Sequence, residues 1–183
     1  MDREKLERAL SEMPLYVYVY VDPKTIEFSE RIRFICRQEC PMYGKSWACP
    51  PGVGEVAECK AKCQGYNSCL MVGTITETDD IADMETALKT RPEHEAITNE
   101  IRELFREQGV EPYILSTEAC AVCERCAILD GQPCRMPERM HPCVESHGIN
   151  LIPTLEENGL DFQYGGNIIT WYSLLFFNDD TVV

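Results

Sequence analysis

The segment Cys120-Ala121-Val122-Cys123-Glu124-Arg125-Cys126, with Cys134 after it, has the spacing C-x2-C-x2-C-x7-C. A cysteine at every third residue lets one tight loop reach three corners of a four-iron cube. The fourth ligand then comes from further along the chain. Cys134 is the natural fourth, because Gly131-Gln132-Pro133 can turn the chain back. The spacing therefore points to a [4Fe–4S] cluster on Cys120, Cys123, Cys126 and Cys134. Bacterial ferredoxin runs share the C-x2-C-x2-C core, but their fourth cysteine comes sooner and is followed at once by proline. Here Pro137 lies three residues after Cys134, so a ferredoxin fold does not follow. Zinc is the alternative metal, since it also takes four thiolates. Its sites usually pair two knuckles far apart in sequence, whereas here three cysteines share one loop. A bare Cys120–Cys123 redox dithiol would leave Cys126 and Cys134 without a task.

An earlier group runs Cys36-x3-Cys40-x8-Cys49-x9-Cys59-x3-Cys63-x5-Cys69. It is looser. Cys36, Cys40 and Cys49 with either Cys59 or Cys63 would make a second four-thiolate metal site. Pro41, Pro50 and Pro51 stiffen the loop that carries Cys49. Tyr43 and Trp47 could shield a cluster from water, or serve as ordinary core. The C-x3-C spacing is half of a radical-SAM loop, but the C-x2-C that must follow is missing. Gly44-Lys45-Ser46 resembles the end of a phosphate-binding loop, yet Glu39 stands where that motif needs glycine. Gly52-x-Gly54-x-x-Ala57 follows Cys-Pro-Pro instead of a strand, so it is no dinucleotide fingerprint. His94, His141 and His147 form no i, i+4 ligand pair.

The chain has 183 residues, 11 cysteines and a formal net charge of −14. The N-terminus is charged from its second residue, and no stretch approaches the roughly 18 apolar residues of a membrane span. An odd number of thiols fits a closed disulfide set poorly, so they are expected to be reduced, in the cytoplasm. The acidic balance disfavours nucleic acid. It gives a solvated surface, or a docking face for a basic redox partner protein.

The elements that must position these cysteines follow from periodicity. Asp2–Met13 reads as a helix and Leu15–Val21 as a strand with Val17, Val19 and Val21 on one face. Arg31–Ile35 reads as a short strand, and Cys36–Cys69 as loop with a helical turn near Glu55–Cys63. Leu70–Ile75 is a buried strand. Ile81, Met84, Ala87 and Leu88 form one helical stripe; Pro92 opens a second helix that Gly109 caps. Tyr113–Ser116 is a strand, Glu138–His147 a helix ending at Gly148, and Ile149–Ile152 and Ile168–Phe177 closing strands. The expected fold is α+β: one domain over residues 1–183, a small mixed or antiparallel sheet with helices, and two cysteine-rich loops at strand ends.

Residues 40–51 (CPMYGKSWACPP), the run Cys120-x2-Cys123-x2-Cys126, Pro133-Cys134-Arg135-x-Pro137 and Glu145-Ser146-x-Gly148-Ile149 together resemble a known family. It is the cysteine-rich predicted metal-binding family called domain of unknown function 2284, and the likeness runs from about Cys36 to the C-terminal strand. The resemblance implies metal ligation and no particular reaction. Its members are small cysteine-rich proteins of anaerobic bacteria and archaea. Carried over, it implies Cys36, Cys40, Cys49 and Cys59, and then Cys120, Cys123, Cys126 and Cys134, as ligands. Cys69 and Cys143 fall outside the motif and are expected not to bind metal.

The expectation is an iron–sulfur protein with one or two [4Fe–4S] clusters, passing single electrons to a partner. That role is favoured over a stand-alone enzyme, because clusters with four thiolates leave no iron open to substrate. The rival is a binding module stapled by zinc or by a cluster, without redox work.

Overall fold

The computed structural model describes residues 1–78, 84–162 and 164–179. Its elements run α1 (Arg3–Ser11), β1 (Val17–Val21), β2 (Glu27–Phe28), α2 (Glu30–Glu39), α3 (Val56–Gln64) and β3 (Ser68–Glu77). Then come α4 (Met84–Arg106), β4 (Tyr113–Leu115), β5 (Ile149–Asn150), α5 (Leu151–Glu157) and β6 (Ile168–Phe177). The fold is α+β.

Period-two apolar runs build a four-stranded antiparallel sheet of order β1-β3-β6-β4. The ten-residue strands β3 and β6 pair along their whole length, from Ser68 opposite Phe177 to Glu77 opposite Ile168. Both faces of this pair are covered. On one, Leu70, Val72, Leu175 and Phe177 pack against Leu6 and Leu10 of α1 and Ile97, Ile101 and Phe105 of α4. On the other, Cys69, Met71, Leu174 and Phe176 meet Cys63 of α3, Leu151 and Leu155 of α5, and Val144. Each such Leu or Phe stabilises the fold by about 1.5–3 kcal/mol through burial. Cys63 and Cys69 lie on this second side, where the small antiparallel pair β2–β5 also packs.

Five expectations are corrected. Residues 31–35 are helical, inside α2: Ser29 caps the helix by accepting from the Arg31 amide at 3.2 Å, and Glu30 suits the positive N-terminus. The turn near Glu55 is a nine-residue helix, α3, started by a reciprocal Glu55–Glu58 capping box. Pro92 does not open a helix but lies inside α4. The hydrogen bond it forfeits is outweighed by burial of His94, Ile97, Thr98, Ile101 and Phe105 just beyond it. Ile81 lies outside the described residues. Finally, 138–147 is not one helix but two 3-10 turns, Pro137–Arg139 and Glu145–His147. Between them the chain bridges to the end of β4, with Ser116 N donating to Pro142 O at 2.8 Å and Val144 N to Ser116 O at 3.1 Å. The next strand is also shorter than expected, because Leu151 and Ile152 already belong to α5.

Gly148 ends the second turn at φ +75°. A Cβ there would lie 3.0 Å from Val56 and 3.1 Å from the Ser29 carbonyl, and the Ser29 amide donates to Gly148 O at 2.6 Å. The starts of α2 and α3 therefore close directly onto the 145–148 segment.

Candidate metal centre

The second cysteine group leaves the sheet just past β4. After Cys126 the 3-10 turn Ala127–Asp130 stops at Gly131, at φ +63°, and Gln132 N donates back to Ala127 O at 3.0 Å. This reversal returns Cys134 to the loop. Cys120, Cys123, Cys126 and Cys134 all line one narrow cavity of ≈ 20 Å³, walled by Trp47, Val122, Ala127, Met136 and Met140. Arg135 also borders it and donates to the Arg125 carbonyl at 3.1 Å. Burial pushes the Cys120 thiol up, and the neighbouring Cys134, Cys123 and Cys126 push it the same way. Trp47 comes from the first cysteine loop, and its indole N–H donates to Gln132 O at 3.0 Å. The aromatic expected to shield the first group thus covers the second. Cys134 and Trp47 also line a larger cleft that includes Lys62, Arg102 and Tyr113.

The first group divides. Arg33, only 7% exposed, reaches from α2 to Gly54 O and to Ser146 O, both at 2.7 Å. Those bonds press α2 onto the segment after Cys143. One turn on, the Cys36 thiol lies 3.9 Å from Glu145 O. Burial pushes Cys36 up to about 11, with Glu145 pushing the same way and Arg33 opposing it. Cys49 sits in a turn closed by Cys49 N to Ser46 O at 3.0 Å and Gly44 N to Pro50 O at 2.8 Å. The neighbouring Cys143 thiol holds Cys49 below its ordinary value, and Cys49 together with burial raises Cys143.

Cys59 and Cys63 lie elsewhere. They are i, i+4 neighbours on the buried side of α3. Cys59 donates to Val53 O at 3.4 Å, while Cys63 is fully buried beside Cys69 in the core. Burial pushes Cys63 up to about 12 and Cys69 well above its ordinary value. Cys63 and Cys69 pack there as small apolar groups, whereas the Cys59 sulfur also accepts from Arg33 at 3.8 Å.

The family model described as predicted metal-binding protein (DUF2284) matches residues 19–177. The chain belongs to this family. No curated protein and no solved structure matches it. Metal binding is what the family description assigns, and the cysteine loops of this DUF2284 member are where sulfur ligands concentrate. Among the described residues, no three Cys, His, Asp or Glu side chains converge tightly enough to hold one metal ion. A tetrahedral zinc site needs sulfurs about 3.8 Å apart. A cubane spreads its ligands over four irons, so its sulfurs surround a space instead of a point. The cavity between Cys120 and Cys134, with no carboxylate in its wall, fits that second arrangement. None of the 11 cysteines is in a disulfide, and no described helix is long and apolar enough to cross a membrane.

Two histidines have structural places that spacing alone did not reveal. His94, 1% exposed, is held between Thr74 Oγ1 at 2.9 Å and Ser173 Oγ at 2.7 Å. Ser173 joins Thr98 and Ser116, and Ser116 donates to Glu95 at 2.7 Å. Burial, aided by Arg91, lowers His94 to about 4. His147 is held between the Tyr113 hydroxyl at 2.6 Å and Ser146 Oγ at 3.1 Å, and burial lowers it to about 3. With both ring nitrogens engaged, neither offers a lone pair to a metal.

Proposed function

We propose that this DUF2284 protein is a cytoplasmic iron–sulfur protein that holds a [4Fe–4S] cluster on Cys120, Cys123, Cys126 and Cys134 and exchanges single electrons with a partner protein. The observation that carries the reading is the convergence of these four thiols on one apolar-walled cavity. A cluster bound there would supply one-electron redox chemistry. The chain's own residues do the rest. The tight loop presents three sulfurs, and the Gly131 reversal brings the fourth. Trp47, Met136 and Met140 limit water, which sets the potential and slows attack by oxygen. Arg135 offsets part of the negative charge of a thiolate-ligated core. The cleft beside Cys134 gives a partner an approach to the edge of the site. Eleven unpaired thiols suit a reducing compartment.

The experiment is anaerobic purification with iron, acid-labile sulfide and zinc counts. Brown protein is expected, with a broad absorption band that dithionite bleaches and oxidant restores without unfolding. Cys123→Ser is expected to remove that band, because the middle ligand of a tight loop has no neighbour to replace it. Colourless protein with stoichiometric zinc and no sulfide would make the site a structural staple instead.

A further inference from the structure

A cleft of ≈ 680 Å³ is bordered by α3, β4 and the segment that carries Cys134. That volume falls within the roughly 300–1,000 Å³ of small-molecule sites. Its wall is aromatic and stiff. Tyr66 and Tyr113 stack with ring centroids 6.3 Å apart and planes 10° from parallel. The Tyr113 hydroxyl is already engaged by His147 at 2.6 Å, so this ring offers its face and not its oxygen. Trp47 also lines the cleft, and Pro112, Pro133, Pro137 and Pro142 fix its backbone. Such a wall takes a flat ring by stacking.

The charges in the cleft do not all cancel. Arg102 Nε donates to Glu111 at 2.8 Å and its Nη1 to the Glu138 carbonyl at 2.6 Å, and Glu111 also pairs with Arg106 at 2.6 Å. Lys62 has no such partner. Its Nζ sits 3.5 Å from the centroid of the Tyr113 ring, and among the described residues no carboxylate pairs with it. The ring face satisfies an ammonium only on one side, and the remaining N–H donors stay open to an acceptor. In a chain with a formal charge of −14, an ammonium left without a carboxylate beside an aromatic wall is a seat for an outside anion. The carboxylate of Glu138, which also lines the cleft, opposes a second negative charge on that anion.

We infer that this cleft is a binding site for a small planar organic carboxylate, with its carboxylate on Lys62 and its ring against Trp47 and Tyr66. Trp47, Cys134 and Met140 line both this cleft and the cavity of the four thiols, so the bound molecule lies against the edge of the proposed cluster. That adjacency rests on the iron–sulfur reading above; the binding itself does not.

The test is calorimetric titration of anaerobically purified full-length protein with naphthoate, and with naphthamide, naphthyl phosphate and naphthylmethylammonium as its neutral, dianionic and cationic counterparts. Saturable binding of naphthoate is expected, with naphthamide weaker by about ten-fold or more because the charge-assisted bond is lost. Naphthyl phosphate is expected to bind less tightly than naphthoate, and naphthylmethylammonium least. Lys62→Gln is expected to weaken naphthoate by about ten-fold, and Lys62→Arg to restore most of the affinity. No saturable binding at millimolar naphthoate, equal binding of the amide or the ammonium, or full affinity in Lys62→Gln overturns the inference. Should Lys62→Gln fail to fold, Glu138→Gln carries the test with the opposite sign: naphthoate is expected to bind more tightly, and unchanged affinity overturns the site. Naphthoate binding to protein that holds neither iron nor sulfide would keep the cleft and sink the cluster. Brown protein that ignores naphthoate would do the reverse.

Discussion

Acidification should destabilise this protein through His94 in a way that one substitution isolates. In the folded chain His94 titrates at about 4, against 6.5 for a free histidine. The neutral ring is thus the form that folding favours. Its contribution is fully present above pH 6.5 and is lost as pH falls toward 4, because the unfolded chain takes up a proton that the folded chain refuses. Between about pH 7.5 and about pH 5 this linkage removes about 2 kcal/mol. Arg91 adds to the depression, and Glu95 reaches the same hydroxyl network through Ser116. The assay is urea unfolding at both pH values for wild type and for His94→Gln, which keeps polar atoms at the site and cannot titrate. Acid effects on ligand thiols are common to both proteins and cancel in the difference. The variant is expected to start about 1–3 kcal/mol less stable at the higher pH, from imperfect hydrogen bonding, and to lose about 2 kcal/mol less on acidification. Equal losses in the two proteins, or a His94 ring that titrates near 6 by nuclear magnetic resonance, would refute the reasoning.

Other outcomes follow from packing and backbone geometry. Phe105→Ala empties the fully buried joint between α4 and β6 and should cost about 3–5 kcal/mol in denaturant unfolding. Gly148→Ala forces a Cβ to 3.0 Å from Val56 at φ +75°; a loss of at least about 1–2 kcal/mol is expected, together with slower metal incorporation. Trp47→Phe removes the donor to Gln132 O, which should cost about 1 kcal/mol and speed bleaching of the Cys120–Cys134 chromophore in air, read by absorbance.

The sheet could be read from the chain because its strands are rich in β-branched and aromatic residues over uninterrupted lengths, as in Ile168–Phe177. The second cysteine group is equally readable, because its members lie close in sequence and Gly131 marks the return. What escaped was whatever depends on distant partners. Arg31–Ile35 alternates well enough to pass for a strand, and the cap at Ser29 was the local signal that decides for the helix Glu30–Glu39. Pro92 reads as the start of a helix, and Pro142 lies inside the expected helix Glu138–His147. One is overridden by burial of α4; the other splits an expected helix because the chain there must pair with Ser116. Cys59 and Cys63 belong to the same sequence cluster as Cys49, yet α3, started by the Glu55–Glu58 capping box, turns them toward the core. No cysteine spacing rule encodes that turn.

Trp47 has a consequence for anyone who would cut this protein into parts. It leaves one cysteine loop and ends on the backbone of the other, so it is shared property. A synthetic peptide of residues 120–134 would keep every sulfur of the C-x2-C-x2-C-x7-C run but lose one wall of its cavity and the donor that steadies its turn. The run is therefore not a portable cassette to be grafted onto another scaffold. Length changes in either loop would have to be answered in the other, and the two should drift together across relatives, as interlocked parts do.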